Sequence, residues 1–511
     1  MHTSTGSSAF ALSEQQLQRL TERLELAVRQ ARRTGRETLA ALTVTLSEHV
    51  DPSAVVCASR RAGEPWFVFE QPERGRSALG GLGEVVCLNA HGPDRFATVA
   101  AQWRALSSEA ASDPPEHPDH GGPIAMGGFA FAGEGGAAPG WSGFDPASLV
   151  VPEVTLIRSE RGGRRTGAAN RTGDVTPVGG GSGGGATSVG GATPVVRMTL
   201  AALAAPDDTP EDLCARLQRR LGELRERALP LLDPAPSGRF GVSSVMPPEH
   251  YEAAVARAVE LIRAERFEKI VLAREVQVNA SSAYDPAAVF GVLRAEFPSC
   301  FVFCVGRGDA TLVAASPELL VRREGQRVST LALAGSTRRS ADPAVDDHLG
   351  EQLLRSRKDR GEQAIVVRRI ERTLHPHALW VTSTPEPTLV RVANIQHLAT
   401  PIRAQLARPL DAIELLELMH PTPAVGGEPF AQAEPLIPAL EGLDRGWYAG
   451  PVGWIDTTGD GEFCVALRCA LLRGAVARCY AGVGVVRDSD PASELAETEI
   501  KLAALLPLLA G

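Results

Sequence analysis

The chain has 511 residues, a formal net charge of -9 and a sequence pI of about 5.8, which gives no electrostatic footprint for a nucleic-acid partner. Its 44% hydrophobic and 22% charged residues are those of a water-soluble chain able to bury a large core. No apolar run approaches the roughly 20 residues that span a bilayer. The Ser/Thr-rich start, Met1 to Phe10, lacks the basic and apolar regions of a signal peptide, so a cytoplasmic protein without membrane contact is expected.

Glu14 to Arg33 reads as an amphipathic helix, with Leu17, Leu20, Leu24 and Leu26 near helical spacing. Short apolar runs follow (ALTVTL, EPWFVFEQ, GEVVCLNA, MGGFAFAG), separated by Gly, Pro and Asp turns, as antiparallel strands would be. The glycine tract Val178 to Pro194 is flanked by strand-like VVPEVTLIRS and PVVRMTLAAL. That context predicts a hairpin with an overgrown loop, an insertion near 160–195, since closure entropy grows only logarithmically with length. A flexible linker is the other reading of such a composition. Arg161, Arg164 and Arg165 lie in the same loop-like stretch and read as solvated.

From Pro247 a helix leads into strand-like KIVLAREVQV, then FVFCVG, TLVAAS and VSTLALAG. One long helix is expected from about Asp346 to Thr373, with strands at Ala378–Thr382 and Val390–Ile395. Three further strands precede a closing helix from Pro491 to about Leu506, with Asp490 as N-cap and Pro491 at its first position. Runs of antiparallel strands broken by long helices indicate an α+β fold, divided as 1–240 and 241–511. The eight cysteines form no CxxC pair and read as buried free thiols in a reduced compartment rather than a zinc site.

Asp359 and Glu362 share a helix face, and Glu494 and Glu497 repeat that spacing on the closing helix. Four carboxylates brought together would need a hard cation such as magnesium; from spacing alone, acidic pairs on solvated faces, and a surface pair of Glu497 with Lys501, are the commoner reading. Lys269 opens an apolar strand, where an ammonium is unusual unless it reaches solvent at a strand edge. Glu318, in AASPELLVRR, is either a buried proton donor with a raised pKa or a helix cap. Arg468 inside VALRCAL calls for an anionic partner. Gly482 and Gly484 of YAGVGVV permit close backbone approach to a ligand, without the strand-to-helix context of a dinucleotide site.

In this order, FEKIVLAR, ASPELLVRR, LALAGSTRR, KDRGEQAIVVRRI, NIQHLATP, HPTPAVGG, YAGPVGW, EFCVALRCALL, YAGVGVV and SELAETEIKL resemble the chorismate-utilising enzymes. That group contains isochorismate, salicylate, anthranilate and aminodeoxychorismate synthases. The resemblance implies an anthranilate synthase component I/aminodeoxychorismate synthase-like fold, large antiparallel sheets flanked by helices. It also implies a monomer that takes chorismate as substrate and Mg2+ as cofactor. Lysine at 269, where ammonia-using members carry glutamine, implies activation of water, and HPTPAV resembles the isochorismate-forming branch. Salicylate formation is the nearest alternative, and a silent chorismate-binding paralogue the one from another class.

Carried over by position, the resemblance implies Lys269 as general base at carbon 2 and Glu318 as general acid at the carbon 4 hydroxyl. Glu362 and Glu497 match direct magnesium ligands, with Asp359 and Glu494 as the supporting pair. Arg468, Lys501 and the backbone of Gly482, Val483 and Gly484 match the holders of a substrate carboxylate. His397 and Ala424 match pocket walls and Ser336 a substrate-contacting hydroxyl. Gln363, Leu495, Gly361 and Glu428 depart from the family pattern.

Overall fold

The computed structural model describes residues 9–47, 49–74, 77–113, 122–160, 194–231, 233–235 and 238–510. Alternation of side chains along the strands divides the interior into two cores. In the strand Gly63–Gln71, Phe67 and Phe69 enter one core while Trp66 and Val68 enter the other. Phe301–Gly308, paired to it antiparallel, repeats the division with Phe301 and Phe303 against Val302 and Cys304. Both faces of these strands are therefore covered, which is why their sequences read as continuous apolar runs.

The strands form a 12-stranded and a 10-stranded sheet, and the ladders within both are antiparallel. The fold is α+β, as the strand runs predict. Strands from both sides of residue 240 interleave: Gly63–Gln71 pairs Phe301–Gly308 in the larger sheet, and Ile124–Phe129 pairs Pro451–Asp456 in the smaller. The strands flanking the glycine tract pair as a hairpin, Glu160 opposite Pro194. The tract through Thr193, with Arg161, Arg164 and Arg165, lies outside the described residues.

Six elements carry most of the functional groups, β1 (Lys269–Asn279), β2 (Arg327–Arg338), α1 (Arg357–Leu374), β3 (Ile395–Leu406), β4 (Val476–Val485) and α2 (Pro491–Leu502), while Glu318, Ala424 and Arg468 lie in connections between elements. β1 pairs β4 in the larger sheet, β2 pairs β3 in the smaller, and α1 packs on β2 and β3 while α2 packs on β4.

Several boundaries differ from expectation. The single long helix is two, Pro343–Arg355 and α1, divided at Ser356, whose hydroxyl accepts from the backbone N–H of Asp359 and caps the second. The expected strand Val390–Ile395 is split between Thr388–Arg391 and the start of β3. The closing helix stops at Leu502, and a short helix, Leu506–Ala510, follows. Asp490 caps α2 by accepting from the Ser493 N–H, with Pro491 first in the helix. The opening helix runs Glu14–Thr34 and buries Leu20 and Leu24, but Leu26 is 40% exposed. Cys300, Cys304, Cys464, Cys469 and Cys479 are buried free thiols; Cys57, Cys87 and Cys214 are only half-buried. Among the described residues no helix is long and apolar enough to cross a membrane.

Candidate active site

β4 is the floor of the site. A Cβ on Gly484 would lie 2.1 Å from Oε1 of Glu362 and 2.7 Å from Cε of Lys269, so only glycine lets both side chains rest on this strand. One on Gly482 would meet the Tyr448 hydroxyl oxygen at 2.8 Å. Lys501, from α2, donates to the Gly482 carbonyl at 2.9 Å and pairs with Glu497 at 2.8 Å.

Lys269 does not reach solvent from a strand edge. It is fully buried, covered by the short strand Gly427–Glu428 that pairs with the start of β1. Its ammonium is 2.8 Å from Oε1 of Glu362, an ion pair without hydrogen-bond alignment. Glu318 is 3% exposed and caps no helix, because the strand Leu319–Glu324 follows it. Burial pushes its carboxyl up to about 8, opposed by the charges of Lys269, Lys501 and Arg468.

Arg468 is buried at φ 46°, a strained conformation for a side chain larger than glycine. Its Nη2 donates to Nε2 of His397, whose Nδ1 side faces the Gly335 carbonyl at 3.3 Å. Burial, with the neighbouring charges of Arg468 and Lys501, holds His397 well below the usual imidazole range, so it accepts this bond as a neutral ring. Nε and Nη1 of Arg468 are buried with no hydrogen-bond partner among the described residues. Gly335, at φ 73°, makes a bulge in β2 that sets Ser336 opposite His397 on β3. From there the Ser336 hydroxyl donates to Glu497 at 2.6 Å.

The structure brings the two acidic pairs together. Burial first, and then the charges of Glu362 and Glu497, raise Asp359 above the ordinary carboxylate range. Burial also raises Glu494, against the pull of Lys358, whose Nζ lies 2.5 Å from Glu494 Oε1. Against its own burial, Lys501 and Ser336 hold Glu497 low. The donor set fits a hard divalent cation in kind: carboxylate oxygens crowded on two neighbouring helices, each raising the cost of the others' charge. In this arrangement no three His, Cys, Asp or Glu side chains among the described residues enclose a metal position. Ammonium groups stand beside Glu362, Glu494 and Glu497 instead.

Glu318, Ser336, Glu362, His397, Ala424, Arg468, Gly482, Gly484, Glu497 and Lys501 line one cavity. Lys269, Asp359 and Glu494 stand behind its wall, and Val483 points to the opposite face of β4 from its glycine neighbours. Tyr448 and Tyr480, stacked at 5.3 Å, also line the cavity and went unremarked in the sequence, although both lie in the YAGPVGW and YAGVGVV segments. Lys358 was likewise passed over inside KDRGEQ. Gln363 is buried and donates to the Ala332 carbonyl and to Thr400 Oγ1, both at 3.0 Å, so it braces α1 against the sheet behind the cavity. Glu428 is buried and paired with Arg372, Leu495 packs on the core, and Gly361 is exposed. A separate cavity between the sheets, lined by Phe69, Arg74, Arg322 and Trp454 among others, holds none of the sequence-predicted groups.

Residues 26–171 and 191–510 match the family described as chorismate binding enzyme. The chain is 35% identical over 504 residues to the salicylate biosynthesis isochorismate synthase of Pseudomonas aeruginosa, covering 99% of this chain and 97% of that protein. It is 38% identical over 258 residues to the isochorismate synthase MenF of Bacillus subtilis, 50% of this chain and 55% of that protein. The fold matches that of MenF, the menaquinone-specific isochorismate synthase from Escherichia coli, at a TM-score of 0.71 and 23% identity, over 96% of this chain and all of that one.

Proposed function

This chain belongs to the chorismate binding enzymes, and we propose that it is an isochorismate synthase, converting chorismate reversibly to isochorismate with magnesium. The observation that carries this reading is Arg468: a buried guanidinium with two nitrogens that have no hydrogen-bond partner among the described residues, facing the same cavity as Glu318. A buried charged donor left unpaired costs more than the 1–3 kcal/mol or so of a neutral one, and a carboxylate is the ligand that satisfies it.

In this reading Arg468 and Lys501 hold one carboxylate of chorismate, and the glycines of β4 let the ring lie close to the strand. For this step Lys269 must be the free amine rather than the ammonium paired with Glu362; it then takes a proton from water as the water oxygen bonds to carbon 2. Glu318 gives its proton to the carbon 4 hydroxyl, which leaves as water while the ring double bonds shift between the two carbons. One water enters and one leaves, so the net change is an isomerisation. The carboxyl of Glu318 suits the donor role, because burial keeps it protonated near neutral pH. Neutral His397 orients Arg468, and Ser336 orients Glu497. Glu362 and Glu497, supported by Asp359 and Glu494, would hold magnesium, whose charge neutralises the ring carboxylate and fixes its orientation.

Incubation of purified protein with chorismate and Mg2+ tests the assignment. Isochorismate is the expected product. Salicylate and pyruvate as main products would make the enzyme a salicylate synthase, and amination with ammonium salts would move it to the ammonia-using members.

A further inference from the structure

Glu494 is nearly sealed from solvent, its side chain 1% exposed, and a carboxylate so placed needs a positive partner. Lys358 supplies it at 2.5 Å, and Ser489 adds a hydrogen bond. The three lysines at the cluster differ in freedom. Lys269 is sealed, and Lys501 is tied to both Glu497 and the Gly482 carbonyl. Lys358 has 31% of its side chain exposed, and Glu494 is its one hydrogen-bonded partner among the described residues. It also lines an outer cleft with Arg357, Gly361 and Arg368, on the far side of Glu362 from the inner cavity. Of the three it has the most exposed side chain, 31% against 19% for Lys501, and so the most water to withdraw into.

The charges are close to balance. With all groups ionised, four carboxylates face three ammonium groups; a divalent cation added to that set would leave it positive, and departure of one ammonium restores neutrality. We propose that Lys358 is a tethered counter-ion, holding Glu494 while no divalent cation is bound and yielding it when one enters, so that this lysine sets the affinity of the cluster for the cation. The inference rests on the magnesium reading above and concerns binding of the cation, not the ring chemistry.

Titration calorimetry with Mg2+ alone, on wild type, K358M, K358Q and K358R, tests it. K358M and K358Q are expected to bind Mg2+ about tenfold more tightly than wild type, because the internal competitor is gone, whereas K358R should stay within about twofold. Metal-free K358M should melt below metal-free wild type, and Mg2+ should raise its midpoint by more than it raises that of wild type. A K358M chain that folds only with Mg2+ is the same result in stronger form; if it folds in neither condition, K358Q decides. Wild type that binds Mg2+ while the neutral variants bind it equally or more weakly would overturn the counter-ion role alone. Wild type that takes up no Mg2+ would overturn the magnesium reading and this inference with it.

Discussion

Burial of Glu318 has consequences on two measurable axes. Its carboxyl is raised from 4.5 to about 8, by burial first, against three nearby cations. Folding therefore takes up a proton above pH 4.5: the stabilising contribution is complete below that value and is lost as pH rises through about 8. The same proton serves the proposed chemistry, so kcat/KM should fall on the alkaline side with an apparent pKa of about 8. Glu318→Gln is expected to lower kcat by roughly 10²- to 10⁴-fold, the range for loss of a general acid. It should also flatten the decline in stability between pH 4.5 and 8, read by thermal melts across that range. Near-full turnover by the variant would remove Glu318 from the acid role. The chemical types at these positions were legible in the sequence: a lysine in an apolar strand, a glutamate after Ser-Pro, an arginine between buried neighbours. For Lys269 the choice between burial and a solvent-reaching edge stays open in sequence, because its cover comes from Gly427–Glu428, more than a hundred positions away. Nothing in the sequence near Lys358 marks it out, since its partner Glu494 belongs to another helix.

Helices and strands were read from period and punctuation, and the errors follow from what those signals leave out. RSRKDRGEQ contains no proline and keeps a helical pattern, and the one local sign of a fresh start is the Ser-x-x-Asp spacing of Ser356 and Asp359. The cap at Ser356 starts α1 afresh and fixes Asp359 in its first turn, where Ser356 hydrogen-bonds both its backbone N–H and its carboxylate. The bulge falls at Gly335, the lone glycine of its strand, and sets Ser336 opposite His397 and toward Glu497. Two glycines separate the demands of an element from those of the site. Gly361 lies inside α1 with nothing within 4 Å of an added Cβ. Gly361→Ala should therefore stabilise the protein by about 0.5–1 kcal/mol, seen as a higher Tm. Gly484→Ala would place a Cβ 2.1 Å from the Glu362 carboxylate. Displacement of Glu362 from Lys269 should cut kcat by more than tenfold and weaken Mg2+ binding, while far-UV circular dichroism stays near wild type. Wild-type kinetics in that variant would show that the close approach of Glu362 to β4 has no part in activity.

At the scale of the whole chain, the motifs that carry the chemistry fall after residue 240, but the sheets that hold them do not. Phe301–Gly308 has Gly63–Gln71 as one of its two neighbours, with Val302 opposite Glu70, and Pro451–Asp456 has Ile124–Phe129, with Val452 opposite Gly128. Removing residues 1–240 would open a bare edge in each sheet and strip Phe67, Phe69, Phe129 and Trp141 from the core that the catalytic strands share. Non-local pairings of this kind are set by register between distant strands, which local periodicity does not record, and they tie the stretches before and after residue 240 into common sheets. A fragment of residues 241–511 is accordingly expected to aggregate or to melt without a cooperative transition, and to regain both folding and chorismate turnover when residues 1–240 are co-expressed with it. Circular dichroism melts and size-exclusion chromatography of the fragment, alone and with its complement, check this. Cooperative melting of the isolated fragment would mean that the strands after residue 240 hold their arrangement without Gly63–Gln71 and Ile124–Phe129. The lysine–carboxylate cluster would then owe its placement to the C-terminal strands and helices alone.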